Sequence, residues 1–273
     1  MSKVCIIGIV GESIFLSVES LPRAGVTVHA KNMFCELGGK GFNQAVAVAR
    51  FGGEVSFLGA VGADGYKQKV VDFCKKEHIQ PFIIEKEGKT AYAVIHTEEG
   101  GENFVSVYAG VQLSVADIVE FEKEIQKAEY LLITNEIPQD VLYKAIEIAE
   151  KYGVKVVYNP APYQEIDECV KDKVYLFTPN EHENIGLEKR KNVIVTKGKN
   201  GSYIKSLDKT VLASADKPVD TTGAGDTFNG VLLAMLAQGL DLESAVVIAN
   251  KASGKSVTKK GAITAIPCLN EIQ

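Results

Sequence analysis

Short apolar runs without polar alternation, spaced by stretches of helical period, constrain the fold of this chain more than any other feature. Residues 4–10 (VCIIGIV) and 55–60 (VSFLGA) are such runs, and they suit strands covered on both faces. Between them residues 43–50 read as a helix, with Gly52 placed for its C-terminal turn. Residues 66–77 are a second predicted helix. Ser114 opens a third, with Asp117 as its acidic partner, and a strand follows over 130–134. Pro138 suits the first turn of the next helix, and Gly153 its end. Predicted strands at 155–158, 174–177 and 193–197 continue the series, and two long helices, 223–238 and 242–258, close it. The alternation implies an α/β fold of three layers, a mainly parallel sheet with helices on both faces.

Two segments break the rhythm. Residues 14–37 and 90–108 have strand character without intervening helices, and Glu99-Gly100-Gly101-Glu102 reads as a hairpin turn between 91–96 and 103–108. They predict a small antiparallel β-sheet, a lid that covers a site or pairs with a second subunit. No repeat, low-complexity stretch or linker divides the chain, so residues 1–273 read as one domain carrying this lid.

Charge and cysteine usage narrow the functional classes. The 30 Lys and Arg against 35 Asp and Glu leave a net charge of −5, which gives no reason to expect nucleic acid or an anionic membrane as partner. An acidic chain that binds an anionic ligand needs local devices, such as backbone N–H groups at a helix start. No apolar run has transmembrane length, and residues 4–10 read as a buried strand rather than a signal peptide. Five scattered cysteines (Cys5, Cys35, Cys74, Cys169, Cys268) form no C-x-x-C. They read as free thiols in a reducing cytoplasm, not as a zinc knuckle or dithiol site. His29, His78, His96 and His182 show neither triad nor metal-ligand spacing.

The strongest chemical signal is residues 220–230, DTTGAGDTFNG, ahead of an apolar helix. Gly223 and Gly225, flanking Ala224, allow a tight turn and close approach of a ligand. Their N–H groups, at the positive end of a helix dipole, make an anion hole. Asp226 then sits in the first helical turn. A carboxylate there is badly placed to bind an anion and well placed to take a proton from a hydroxyl that attacks a bound phosphate. Alone, the run equally fits a Gly-rich helix start whose acid complements the dipole. The dinucleotide fingerprint fails at Phe228. A phosphate-binding loop ending in Gly254-Lys255-Ser256 fails at Ala249.

A second run, Gly38-Gly39-Lys40-Gly41-Phe42-Asn43-Gln44, exposes backbone and a cation at another helix start. The Asn43 amide both donates and accepts hydrogen bonds, which suits a polyhydroxylated ligand. In isolation the run also fits a tight strand-to-helix turn with a solvated Lys.

Together the two runs closely resemble the signatures of the ribokinase-like (phosphofructokinase-B type) carbohydrate and nucleoside kinases, nearest their ribokinase branch. The likeness spans nearly the whole chain, with residues 159–162 (NPAP), 178–183 (TPNEHE), 196–201 (TKGKNG) and 256–262 (SVTKKGA) in the family's order. The resemblance implies an enzyme that transfers the γ-phosphoryl of ATP to a primary hydroxyl of a small sugar, ribose or a relative. Asp226 is then the base, and Gly223, Ala224 and Gly225 form the anion hole. It implies ATP along Asn180, Thr196, Lys197, Gly198, Gly201, Gly225 and Asn250, and Mg²⁺ served by Asn180 and Glu183. Potassium is implied near Asp220, Thr222, Ser256, Lys259 and Gly261, although position 265 is Ala where family members often carry a hydroxyl. The sugar would lie over Gly39, Lys40, Gly41, Asn43, Glu136 and Asp226 beneath the lid. A cytoplasmic homodimer joined through the lid is the implied assembly.

The chain departs from the family twice. The positions of a sugar-gripping Asn and Asp hold Gly11 and Ser13. A hydroxyl in place of a carboxylate gives up the charge-assisted bonds that are about twice as strong as neutral ones. Either the diol is held more weakly or the pocket takes another acceptor, such as a substituted sugar or a nucleoside. Glu12 has the wrong strand parity to substitute. The connection 181–192 is short and charged, and is expected to keep one short helix of a fuller crossover. A ligand-binding regulator without turnover is the alternative from another class, opposed by intact Asp226, Gly223, Gly225, Asn180 and Glu183.

Overall fold

The computed structural model of the protein describes residues 3–98, 103–213 and 217–272. The hairpin turn read at 99–102 lies outside the described residues. The chain begins β1 (Lys3–Ile7), β2 (Gly11–Val18), β3 (Ala30–Gly38), α1 (Lys40–Arg50), β4 (Glu54–Gly62), α2 (Tyr66–Lys76), β5 (Gln80–Lys86), β6 (Ala91–Thr97) and β7 (Asn103–Tyr108). It continues through α3 (Val115–Glu120), α4 (Glu122–Gln126), β8 (Tyr130–Thr134), α5 (Gln139–Tyr152), β9 (Lys155–Asn159), α6 (Glu168–Lys171), β10 (Leu176–Phe177), β11 (Ile194–Thr196), β12 (Ser202–Ile204) and β13 (Lys209–Val211). Helices α7 (Ala224–Ala237) and α8 (Leu242–Ser256) complete it.

The main sheet runs β10-β9-β8-β1-β4-β5, and every pairing in it is parallel. β1 lies at its centre and is buried on both faces, which is why its sequence shows no polar alternation. Val4 and Ile6 enter a core with α1, α2, α7 and α8, while Cys5 and Ile7 enter a second core with α3, α4 and α5. Helix ends follow local chemistry. Ser114 and Asp117 form a reciprocal capping box on α3, and Gly153 ends α5 in the left-handed conformation.

The lid is a four-stranded sheet, β3-β2-β6-β7. β2–β3 and β6–β7 are antiparallel pairs, and a parallel β2–β6 pairing joins them. It starts at Gly11, three residues earlier than expected, because β1 stops at Ile7 and the chain then leaves the main sheet.

Some expectations need correction. β5 went unread, since its half-buried edge position gives no clean apolar period. Strands β12 and β13, three residues each, are too short to leave a pattern. The 193–197 strand is not another parallel rung of full length. β11 touches the main sheet through isolated bridges at Phe177–Val193 and Asn180–Thr196, and ladders antiparallel to β12. Residues 181–192 hold turns and no helix. The Asn180 side chain takes the N–H groups of His182 and Glu183 there, which competes with helical bonding. No described helix is long and apolar enough to cross a membrane.

Helices α1 and α7 pack face to face at Gly230. A Cβ added there would sit 2.4 Å from Gln44 O and 2.5 Å from Ala47 Cβ. Gly230→Ala therefore forces the two backbones apart. It is expected to cost roughly 1–3 kcal/mol in a thermal or denaturant unfolding experiment, and unchanged stability would contradict this packing.

Candidate active site

The N-terminal ends of α1 and α7 meet beside the loop that follows β8, under the lid. Asp226, in the first turn of α7, is 6% exposed. Asn43 Nδ2 donates to one of its oxygens at 2.9 Å, and Gln44 Nε2 to the other at 3.1 Å. Gln44 Nε2 also reaches Asn159 Oδ1 at 3.1 Å, and Asn159 Nδ2 donates to Thr178 O. Helix α1 thus holds the carboxylate through both oxygens, and β9 in turn fixes Gln44. The amide oxygens of Asn43 and Gln44 are buried and have no partner within the protein, so they remain free to accept.

Burial raises the carboxyl pKa of Asp226, against the pull of the Lys40 charge and the two amide donors. The Lys40 ammonium is held above its ordinary value, chiefly by the Asp226 charge and further by Glu136 and Glu183, with desolvation opposing. Glu136, just past β8, accepts the Lys40 backbone N–H at 2.7 Å, and burial pushes its carboxyl up to about 7. Glu183 is also raised by burial and accepts the Asn180 N–H at 3.0 Å. A lysine and three carboxyl groups therefore share one field.

The start of α7 has the form expected of an anion site. Gly223 caps it in the left-handed conformation, with φ 74°, and an added Cβ on Gly225 would meet open space. The first N–H groups of a helix have no partner inside it and carry its positive end. The neighbouring cleft is lined by Ser13, Gly39, Lys40, Asn43, Glu136 and Asp226 on its polar side. Lid residues Phe15, Ile95 and Val107 add apolar surface to the same cleft.

A pfkB family carbohydrate kinase model matches residues 1–268. The chain belongs to this family. A ribokinase of Bacillus subtilis is 31% identical over 100% of this chain and 99% of its own length. A deoxyribokinase of Salmonella typhi is 30% identical over 92% of this chain and 91% of its own. Among solved structures, a ribokinase of Thermotoga maritima superposes with a TM-score of 0.88 at 30% identity, covering 100% of this chain and 98% of its own. The protein is thus an ATP-dependent kinase of sugar hydroxyls, with the ribokinase-like fold.

In this pfkB kinase the structure brings Gly39, Lys40, Gly41, Asn43, Glu136, Gly223, Ala224, Gly225 and Asp226 together at the starts of α1 and α7 and the end of β8. Ser13 also reaches the cleft. Gly11 lines it by backbone alone, since an added Cβ would lie 1.9 Å from Ala91 O. Glu12 borders the cleft too, but its carboxylate is engaged by Tyr66 Oη at 2.7 Å and Lys69 Nζ at 2.6 Å. Thr196, Lys197, Gly198 and Gly201 form a strand end and a tight turn after Asn180, whose backbone bridges to Thr196.

Asn250 is bonded at both ends of its amide. Its Oδ1 accepts from Ser202 Oγ at 2.8 Å and its Nδ2 donates to Val211 O at 2.9 Å, so it crosslinks α8 to the small sheet. Asp220, Thr222 and Gly261 do converge, with the Asp220 carboxylate accepting the Thr222 and Gly261 N–H groups at 2.9 and 3.0 Å. Two predicted companions are engaged elsewhere: Ser256 Oγ donates to Ser253 O, and Lys259 Nζ pairs with Glu271. Gln44 and Asn159 are the functional-site residues to which sequence reasoning gave no role. Polar side chains in otherwise apolar, small-residue surroundings were the available signal.

The Glu136 carboxyl yields a pH expectation. Its folded value lies above that of a free carboxyl, so it ionises late, and whatever stability its protonated form contributes is lost as pH rises from the ordinary carboxylate range to about 7. The same rise adds a negative charge to the wall of the cleft. The sugar KM is expected to fall as pH passes about 7, and Glu136→Gln to flatten that step. Identical KM–pH profiles for both proteins would refute the assignment.

Proposed function

We propose that the protein phosphorylates a primary hydroxyl of a small sugar at the junction of α1 and α7, with Asp226 as general base. The observation that carries this reading is Asp226 itself: buried, clamped through both oxygens, and one residue past Gly225 at an open helix start. The acceptor hydroxyl gives its proton to Asp226 as its oxygen bonds to the γ-phosphorus, and the bond to the bridging oxygen breaks to release ADP. The raised carboxyl pKa of Asp226 makes it a better proton acceptor than a free carboxylate. N–H groups of Gly223, Ala224 and Gly225 meet the charge on the transferring group, and Lys40 adds a cation to the same field. Asn43, Glu136 and the backbone at Gly39 and Gly41 orient the sugar. Thr196, Lys197, Gly198 and Gly201 carry the nucleotide.

Magnesium suits this site as an ion that arrives with the nucleotide. Among the described residues no group of three or more His, Cys, Asp and Glu side chains is gathered to hold a metal. Asn180 and Glu183 are the residues that would face it, and it would supply charge neutralisation on the phosphates. For a monovalent cation such as potassium, the unpartnered, buried Thr222 Oγ1 beside Asp220 is the supporting feature. Asp226→Asn is expected to lower kcat by about 10²–10⁴-fold, measured as sugar-dependent ADP release, while leaving the fold intact. Near-full activity would remove Asp226 from the chemistry.

Ribose or a close relative is the acceptor class we favour, with a pocket less committed to a bare diol. Ser13 offers one uncharged hydroxyl, and Phe15 and Ile95 beside it add apolar surface. A nucleoside or substituted sugar is the second reading, favoured by that apolar wall. Ser13→Asp is expected to raise kcat/KM for ribose by roughly tenfold, the worth of a charge-assisted bond over a neutral one. Gly11→Asn has no room beside Ala91 and destabilises instead. A Ser13→Asp enzyme that is no better with ribose, and a wild type that prefers nucleosides, would favour the second reading.

We further read the chain as one kinase domain, cytoplasmic, and dimeric through the lid. All six residues of β7 are exposed, and Phe104, Val105, Val107 and Tyr108 among them form an apolar edge strand. Such an edge favours pairing. Light scattering is expected to give twice the chain mass, and Val107→Lys to reduce it toward the monomer. A wild-type monomer at working concentration would sink the dimer.

A further inference from the structure

Glu36 lies on β3, two residues before the glycines that open α1, and its side chain leaves the lid. Its Oε1 accepts the backbone N–H of Ala262 at 2.5 Å and of Ile263 at 3.1 Å. Its Oε2 accepts the N–H of Thr264 at 2.8 Å and the Thr264 hydroxyl at 2.6 Å. Three successive N–H groups and a hydroxyl therefore close around one carboxylate, the concave arrangement in which backbone binds an anion. Here the anion is supplied by the protein's own lid.

The same loop is gripped from the opposite side. Arg50, at the end of α1, donates through Nη1 to Ile263 O at 2.8 Å and Ile266 O at 2.7 Å, while Glu77 holds its Nε and Nη2. The loop thus has the N–H groups of 262–264 tied to the lid and the carbonyls of Ile263 and Ile266 tied to α1. Ala262 within it reaches in two directions. It packs with Phe15 and Ile95 of the lid. It also stands behind Gly223, where an added Cβ would lie 3.0 Å from Ala262 Cβ. One chain of contacts therefore leads from a lid strand, through a carboxylate and a loop, to the residue that caps α7.

We propose that Glu36 is a positioning residue that couples the seated lid to the N–H groups at the start of α7. The coupling rests on the reading above that these groups bind the transferring phosphoryl. With Glu36 seated, loop 261–264 presses Ala262 against Gly223 and holds the helix start in its working geometry. With the carboxylate withdrawn, the N–H groups of 262–264 lose their acceptor, and the support behind Gly223 loosens. The lid then does more than cover the sugar. Its closed position is reported to the phosphoryl site through a carboxylate that does not itself line the cleft.

The test compares wild type with Glu36→Gln, which keeps shape but removes the charge and one acceptor, and with the milder Thr264→Val, which removes one donor. Steady-state kinetics and amide hydrogen exchange are measured on the full chain. Glu36→Gln is expected to lower kcat about tenfold with the sugar KM within about twofold, as suits loss of charge-assisted bonds that act on the reacting geometry. Exchange is expected to quicken at 261–264 and also at 223–226, but not in β1 or β4. Thr264→Val should show the same pattern at smaller size. An unchanged kcat, or faster exchange confined to 261–264, would overturn the coupling and leave Glu36 a simple anchor. Asp226→Asn serves as the independent control: if that variant keeps activity, the phosphoryl-site reading itself has failed, whatever Glu36 does.

Discussion

Everything in this site depends on keeping a carboxylate buried in a usable orientation. An isolated buried charge is costly unless hydrogen bonds and a counter-charge compensate it. Asp226 is compensated from α1, through the amides of Asn43 and Gln44 and the charge of Lys40. That requirement forces α1 and α7 close together, and the contact at Gly230 is what the close approach looks like in the core. The remaining scaffold serves this junction. β1 and β8 deliver the loops on which the lid begins and Glu136 stands, and Asn159 anchors Gln44 from the end of β9. Site and core are therefore one construction, since a shift between the two helices both loosens packing and misorients Asp226.

The family supplies the chemistry, and this chain alters its periphery. The two substitutions at the start of the lid differ in kind. Gly11 is imposed by the backbone, because β6 crosses so close that no side chain fits. Ser13 lies in the open cleft and is a choice of chemistry, a hydroxyl where a charge would fit the family pattern. Glu36 works in the opposite sense, bringing a charge from the lid to the tail.

Legibility followed the range of the interactions. Runs buried on both faces, such as β1 and β8, announce themselves because burial leaves no room for polar alternation. The capping box at Ser114 and the helix end at Gly153 are local chemistry and were readable to the residue. Edge strand β5 and the three-residue strands β12 and β13 left no such trace. Within the site, the Gly-rich helix starts and the place of Asp226 in the first turn of α7 were legible because they are set by local backbone form. The partners of the Asn250 amide, Ser202 and Val211, lie 48 and 39 residues away, and no local pattern announces them.

The sequence by itself determined the alternation of strands and helices, the two glycine-rich helix starts and the acid beside one of them. These are properties of consecutive residues, set by burial and backbone freedom. Only the tertiary structure decided that Asn43 and Gln44 would clamp Asp226 across 183 and 182 positions, that Tyr66 and Lys69 would engage the Glu12 carboxylate, and that Glu36 would reach the tail 226 to 228 residues on. Those pairings depend on which helix starts and loops the sheet order brings together, and neither spacing nor composition encodes that juxtaposition locally.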